Sequence, residues 1–520
     1  MIASKSREWL TEVANKFTGS EDVDLDVDID ARKEALFKKY QEHNQQHVFD
    51  HWPSLNIEEK IHLLGQLDQI EVEKLAGYVK HAEAENNSLG TTNGFYDLSV
   101  ESSIDVIKPF SGKVLSMNNP KDHKYLVSKC QKTGLEAIAA NKVATVLLAG
   151  GQGTRLGFDG PKGMYDIGLP SKKSLFCLVA ERILKCTQLA SSDGNVDNTV
   201  HIPLYIMTSP MNDKATKDYF ESNNFFGLPV TDVKFFTQGT LPCLSTDGSI
   251  IMESPFQCAM APDGNGGIYP AMERFGVLDD MKDRGIEHIH AFAIDNALVR
   301  PADPVFIGHC IIEKADCGNK VVWKKEADEK VGVIAEKNGK PCVIEYSELS
   351  VKMAEQTKGM MGRKKLLFGA GNICNHYYSI SFLEDKVWPE QGKTFHIAHK
   401  KIPFWDESTN KTIAPIENNG IKLESFIFDV FPLSTNMAIM EVEREEEFAP
   451  VKNAPGMSSD TPELALDKLS SLAKSWLENA GAKLVDKDDI KCCEISPLTS
   501  YAGEGLDNYK KEEIECPFSI

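Results

Sequence analysis

The run Leu147-Leu148-Ala149-Gly150-Gly151-Gln152-Gly153-Thr154-Arg155-Leu156-Gly157, followed by Pro161-Lys162, is the densest stretch of potential chemistry in the chain. Glycines let a backbone approach a ligand closely and turn its N–H groups toward phosphate oxygens. Arg155 and Lys162 add two cations that could hold a polyphosphate from one side. The spacing excludes two familiar phosphate loops. It is not G-x-x-x-x-G-K-[ST], and the glycines at 151, 153 and 157 read G-x-G-x-x-x-G rather than the dinucleotide fingerprint. A tight strand-to-helix turn with surface cations competes with the phosphate reading for a bare glycine loop; Arg155, Pro161 and Lys162 together favour phosphate.

The elements around the loop must deliver it to a cleft. Val143 to Leu148 is almost wholly apolar, as expected of a central parallel strand covered on both faces. Leu175, Leu178, Val179, Ile183 and Cys186 form a helical stripe after Ser174, a good N-cap. Pro203–Thr208 reads as strand, Asp213–Asn223 as helix and Lys234–Gln238 as strand. Asp280–Arg284 closes another helix before Gly285, and Ile286–Ile294 is a buried strand that delivers Asp295 at its C-terminal end. This alternation predicts a doubly wound, mostly parallel α/β sheet with right-handed crossovers. Ligands of such sheets bind beyond the strand C-termini, where the glycine loop and Asp295 both fall. Val331–Glu336 and Pro341–Tyr346 flank Asn338-Gly339, a hairpin signal, predicting an antiparallel flap that ends in Glu345 and Tyr346.

Outside this core, the first hundred residues read mainly as helix, with Trp9, Leu10, Val13 and Phe17, then Ile61, Leu64, Leu67 and Ile70, at helical spacing. Asn86–Gly94 reads as loop. Thr461-Pro462 starts a late helix that Gly481 stops, with Leu469, Leu472, Ala473 and Trp476 on its apolar face. The Pro/Ser/Gly-rich Ala449–Pro462 reads as a linker. The expected domains are therefore a helical N-terminal region over 1–105, a catalytic α/β region over 106–440 and a small C-terminal α+β region over 441–520.

The chain has 520 residues, 57 Lys+Arg and 77 Asp+Glu, for a net charge of −20. A surface this acidic disfavours non-specific binding to nucleic acid or anionic membrane. A few cations focused in one cleft can still take an anionic substrate. The 12 cysteines are scattered without a CxxC pair, suiting reduced, buried side chains more than zinc or disulfides. With no apolar leader and no span of about 20 apolar residues, the expectation is a cytoplasmic protein. The charge run Glu443–Glu447 reads as a solvated face, and Cys492-Cys493 as packing.

The glycine loop resembles the signature L-x-x-G-G-x-G-T-R-L-G…P-K of the sugar-nucleotide uridylyltransferases. Further blocks are similar to the eukaryotic UDP-N-acetylhexosamine pyrophosphorylases: Gly163-Met164-Tyr165-Asp166, Ala261-Pro262-Asp263-Gly264-Asn265-Gly266-Gly267, Asp295-Asn296, Glu345-Tyr346-Ser347-Glu348, Ala370-Gly371-Asn372-Ile373 and Asn419-Gly420-Ile421-Lys422. Cys493-Glu494-Ile495-Ser496-Pro497 and Ser500-Tyr501-Ala502-Gly503-Glu504-Gly505 also match. The likeness spans roughly residues 100 to 510.

The resemblance implies a Rossmann-like nucleotidyltransferase sheet and one reaction: UTP plus N-acetylglucosamine 1-phosphate gives UDP-N-acetylglucosamine and pyrophosphate, with Mg²⁺. It implies that Leu148, Ala149, Gly150 and Gly151 contact uridine, helped by Gln238 and Gly264. Arg155 and Lys162 would bind the departing pyrophosphate, Asp295 would hold Mg²⁺ against the α-phosphate, and Lys422 would reach the sugar phosphate. Asn265, Glu345, Tyr346 and Asn372 would line the sugar site. Each has a plainer use: Asp295 as a cap, Glu345 as an edge-strand carboxylate, Lys422 as a surface lysine and Asn265 as a left-handed turn residue. Pro270 and the Thr240–Leu244 block depart from the family pattern and bear on substrate breadth. A UDP-glucose or broad UDP-sugar pyrophosphorylase shares Arg155 and Lys162, and the galactosamine epimer stays open beside glucosamine. An NAD-dependent oxidoreductase on the same sheet is disfavoured by the glycine spacing and the two loop cations.

Overall fold

The computed structural model describes residues 25–88, 106–118, 124–193, 199–359, 364–486 and 492–520. They form two compact units. One joins the described N-terminal residues to Thr240–Gly264 and Lys393–Ser425; the other comprises Asp97–Gly239, Asn265–Gly392 and Phe426–Ile520. The units are built from non-consecutive segments, whereas the regions read from the sequence, 1–105, 106–440 and 441–520, are consecutive.

The larger unit is organised by an 11-stranded sheet. Its strands are β1 (Ile107–Pro109), β2 (Val114–Ser116), β3 (Val143–Leu148), β4 (Leu204–Thr208), β5 (Val233–Thr237), β6 (His288–Ala293), β7 (Cys317–Trp323), β8 (Val333–Lys337), β9 (Lys340–Ile344), β10 (Ala370–Ser379) and β11 (Met437–Glu441). The main path runs β2-β11-β7-β10-β6-β3-β4-β5, and β10 alone in it is antiparallel to its neighbours. The strands around the glycine loop are thus parallel, as their unbroken apolar runs predict. The Asn338-Gly339 hairpin joins this sheet rather than lying beside it, because β8 pairs with β1, β9 and β10. Positive φ at both turn residues, 54° and 78°, gives the twist that suits a two-residue hairpin.

Alternation along β3 divides the core. Val143 and Leu147 pack with Phe176, Val179, Ile183, Ile206 and Phe292 on one face. Ala144, Val146 and Leu148 pack with Met207, Met272, Leu278 and Ile289 on the other. All six β3 residues are buried, and each large aliphatic among them contributes about 1.5–3 kcal/mol. The helix Leu175–Asp193 starts where Ser174 Oγ accepts from the Cys177 N–H at 3.3 Å. The helix Pro462–Ala480 is capped by the Thr461 side chain and ends at Gly481, φ 94°. Beyond it, Lys483–Asp486 and Glu513–Cys516 pair in parallel, and Leu477, Cys493, Ile495, Leu506 and Cys516 make a small core of their own.

In the smaller unit, the helices Leu25–Glu42, Ile57–Gln69 and Val72–Ser88 confirm the helical N-terminal region. Their buried residues, among them Tyr40, Leu63, Leu64 and Leu67, share a core with Leu244, Ile250, Ile421 and Leu423. The Gln45 side chain pairs with backbone here, accepting from Ile250 N–H and donating to Gly248 C=O. Trp9, Leu10, Val13 and Phe17 lie outside the described residues. Of the loop expected over Asn86–Gly94, residues 86–88 are helical instead, since the last helix runs through Ser88; 89–94 lie outside the described residues.

Two further expectations are corrected. Ala449–Pro462 is not a free linker: Ala449 and Val451 are buried, and backbone hydrogen bonds tie this segment to residues 295–297. Glu443–Glu447 is not simply a solvated face. Glu447 is buried and pairs with Lys320, itself fully buried and also paired with Asp303, while Arg300 reaches both Glu446 and Glu447. Polar spacing looks alike whether charges meet water or each other. Among the described residues, none of the twelve cysteines is in a disulfide. Among the described residues no helix is long and apolar enough to cross a membrane.

Candidate active site

The glycine loop leaves β3 under tight backbone control. Ala149 N–H donates to Met207 C=O at 2.8 Å. The buried Asn212 amide donates to the carbonyls of Ala149 and Gly151, at 2.9 and 3.4 Å. Gly151 C=O also accepts from Lys162 N–H at 3.1 Å, and Gly153 N–H donates to Gly160 C=O at 2.8 Å. These bonds fold 151–162 back on itself, so that Lys162 stands beside the glycines rather than beyond them. Two short 3₁₀ turns, Thr154–Leu156 and Lys162–Met164, occupy the stretch. The long helix begins only at Leu175, so the cationic side chains supply charge that a helix terminus does not bring to this loop.

Gly150 has no room for a side chain. A Cβ there would lie 2.4 Å from Gln238 Oε1. Gln238 is buried at the end of β5, its N–H bonded to Thr208 C=O at 2.9 Å. The strand order β3-β4-β5 thus brings together the loop and the one amide expected to hold a nucleobase beside it.

Asp295 follows β6, the parallel neighbour of β3. Its half-buried carboxylate lies 3.8 Å from Lys452 Nζ. Lys162 belongs to the same cluster: burial pulls its pKa below the ordinary lysine value, Asp295 opposes that, and Lys452 and Arg155 add to it. Asp460 faces the cluster too, its carboxyl raised by burial and by Asp295 and lowered by Lys452. Next to the glycine loop, Lys162 thus interacts electrostatically with Asp295, Lys452 and Arg155, and Asp460 with Asp295 and Lys452. Arg155 is exposed and Lys162 half-buried.

The expected sugar residues divide. In the antiparallel pair of β6 and β10, Phe292 faces Asn375; Asp295, three residues after Phe292, and Asn372, three residues before Asn375, stand at the same end of the pair. Asn372 Oδ1 accepts from Cys374 N–H at 3.0 Å. The Cys374 thiol is pushed up to about 12 by burial and then by Asp295, which places β10's start in that carboxylate's field. Glu345, just past β9, sets its carboxylate against Gly332, whose carbonyl accepts from Asn372 N–H at 2.8 Å. Tyr346 is exposed. Asn265 spends its side-chain oxygen on Ile427 N–H at 2.9 Å, leaving its amide hydrogens for other partners.

Gly264 and Lys422 belong to the smaller unit. Gly264 has φ +89° and packs on the Ser425 carbonyl. Lys422, half-buried on the strand Gly420–Glu424, sits opposite Ala398 and near Cys243. Sequence reasoning missed Lys452. It stands in the stretch read as a linker; the signal was the apolar Ala449-Pro450-Val451 immediately before it.

A family model described as UTP–glucose-1-phosphate uridylyltransferase matches residues 98–479. The chain is 43% identical over 475 residues to the UDP-N-acetylglucosamine pyrophosphorylase of Saccharomyces cerevisiae, covering 90% of this chain and 95% of that protein. It is 41% identical over 508 residues to the human UDP-N-acetylhexosamine pyrophosphorylase-like protein 1, covering 94% and 97%. Among solved structures, the inhibitor-bound uridine diphosphate N-acetylglucosamine pyrophosphorylase of Trypanosoma brucei superposes with a TM-score of 0.78 at 30% identity, covering 94% and 95%.

Proposed function

The chain belongs to the UTP–glucose-1-phosphate uridylyltransferase family, and on that premise we propose that it is a UDP-N-acetylglucosamine pyrophosphorylase. It joins UTP to N-acetylglucosamine 1-phosphate, giving UDP-N-acetylglucosamine and pyrophosphate. The observation that carries this reading is the electrostatic cluster beside the glycine loop, in which Lys162 interacts with Asp295, Lys452 and Arg155 and Lys452 meets Asp295 at 3.8 Å.

A phosphate oxygen of the sugar phosphate attacks the α-phosphorus of UTP; the bond from that phosphorus to the bridging oxygen breaks, and pyrophosphate leaves with the electron pair. The step needs no protein nucleophile. It needs two anions brought together in line and charge compensated as it moves to the leaving group. Leu148, Ala149, Gly150 and Gly151 hold the nucleoside through backbone, with Gln238 and Gly264 on the base. Arg155 and Lys162 hold the departing pyrophosphate. Lys452 and Lys422 serve the attacking phosphate. Asn265, Glu345, Tyr346 and Asn372 serve the sugar, whose hydroxyl and acetamido groups a matched polar pocket selects strongly.

Among the described residues no three His, Cys, Asp or Glu side chains gather into a metal-holding group. Asp295 offers a single carboxylate, which suits magnesium, an ion that binds through one or two carboxylates and completes its shell with water and substrate phosphates. Bound there, Mg²⁺ would withdraw charge from the α-phosphate.

The test is pyrophosphate release from UTP and Mg²⁺ with N-acetylglucosamine, N-acetylgalactosamine and glucose 1-phosphates in parallel, with Arg155→Ala as control. Turnover with N-acetylglucosamine 1-phosphate above the other two, lost in the variant, is the expected result. Equal or faster turnover of glucose 1-phosphate overturns the acetamido assignment, and silence with all three overturns the activity.

A further inference from the structure

We infer that Asn296 is a positioning residue for the uridylyl transfer, setting the register of the 447–452 segment so that Lys452 meets Asp295. The inference rests on the site reading above and concerns a residue that touches none of the reacting groups.

Asn296 is buried, and its side chain works in both directions. Its Nδ2 donates to Glu447 C=O at 2.7 Å, and its Oδ1 accepts from Ala449 N–H at 2.9 Å and Leu298 N–H at 3.2 Å. Backbone bonds continue the seam on either side: Ala297 N–H to Ala449 C=O at 3.0 Å, and Val451 N–H to Asp295 C=O at 2.8 Å. Residue 450, directly across from Asn296 in an antiparallel bridge, is a proline and has no N–H to give. The two backbone bonds bracket the Asn296–Pro450 pair, so the ladder asks no N–H of residue 450, and the Asn296 amide adds its bonds to Glu447 and Ala449 across the same seam.

Register matters because side chains alternate across an extended segment, so a slip of one residue exchanges its faces. Val451 is fully buried and the neighbouring Lys452 side chain is 45% exposed, within 3.8 Å of Asp295. A slip would turn Lys452 inward and take it away from Asp295. An amide is required, since Glu447 C=O needs a donor and Ala449 N–H needs an acceptor. The far end of the segment is held independently, through Glu447 and its ion pairs with Lys320 and Arg300, so the loss of Asn296 frees register at the Lys452 end first.

The test is a double-mutant cycle in the full chain: Asn296→Ala and Lys452→Ala, singly and together, read as kcat/KM for pyrophosphate release on variants verified as folded by circular dichroism. A residue acting through Lys452 has little left to lose once Lys452 is gone. Asn296→Ala is expected to cost about tenfold or more with Lys452 present and less than about twofold in the Lys452→Ala background. Equal losses in both backgrounds overturn the inference while leaving the site reading intact. Undiminished activity in Lys452→Ala overturns the site reading itself and the inference with it. Should Asn296→Ala fail to fold, Asn296→Asp keeps the size and both acceptor contacts, replaces the donor with a carboxylate oxygen facing Glu447 C=O, and carries the same cycle with the same expectation of unequal losses.

Discussion

Lys452 Nζ lies 3.8 Å from Asp295 Oδ2, although Asp295 falls within the 106–440 region and Lys452 within 441–520. In the proposed reaction the pair sets one carboxylate and one ammonium where the triphosphate and the sugar phosphate meet. Asp295→Asn removes the anion while keeping the shape. It is expected to lower kcat for pyrophosphate release by about a hundredfold, measured at saturating UTP and sugar phosphate with added Mg²⁺.

The pH profile should report Lys162. Burial, then Lys452 and Arg155, hold its pKa below the ordinary lysine value against the pull of Asp295. The ammonium is the useful form, so kcat/KM for UTP falls on the alkaline side at a lower pH than a free lysine would give. Lys452→Ala removes a like charge and should move that limb up in pH; Asp295→Asn should move it down. Stability runs the other way. Between the folded and unfolded pKa values the unfolded chain binds more protons, so this lysine makes stability rise with pH across the window in which activity is lost.

Gly150→Ala places a methyl 2.4 Å from Gln238 Oε1. Either the loop or the amide must shift, and overpacking of this kind costs about 1–3 kcal/mol. UTP KM should rise about tenfold with the smaller displacement, which steady-state kinetics at varied UTP will measure. In Gln238→Ala the obstacle is gone, so adding Gly150→Ala there should cost little more.

Lys320 is enclosed by Asp303 and Glu447 with no exposure to water. Replacing it with methionine leaves two buried carboxylates facing one another with Arg300 as their remaining cation. The expected loss is about 3–5 kcal/mol of stability, read as a lower urea midpoint. Burial alone would raise the Asp303 pKa, but Lys320 and Arg300 hold it below the usual carboxylate value. That contribution to stability is present above the unfolded carboxylate pKa and is lost as pH falls through the folded one.

The parts of the fold read correctly were those with local causes. β3 and β6 were visible because a strand buried on both faces is mostly apolar, Thr145 of β3 and the two histidines of β6 apart, and the Asn338-Gly339 turn because few residues accept its backbone angles. Asp295 was located because it ends such a strand. Lys452 was invisible for the converse reason. Its position depends on a seam with residues 295–297, and the proline-rich stretch that forms the seam has no period of its own. The charge run at Glu443–Glu447 failed similarly, since the spacing of acids along a chain does not say whether Lys320 and Arg300 come to meet them. Asn296 was noted as part of a motif, yet its work is done on backbone groups that no motif displays.

The core shared by the first helices with Leu244, Ile250, Ile421 and Leu423 has a consequence for synthesis. The helices Leu25–Glu42, Ile57–Gln69 and Val72–Ser88 leave the ribosome long before the strand Gly420–Glu424 exists, and translation at about 5–20 residues per second makes that delay tens of seconds. Through that interval their apolar faces lack part of their final covering. A nascent chain halted before residue 393 should therefore expose these helices to chaperones and proteases, and the complete chain should not.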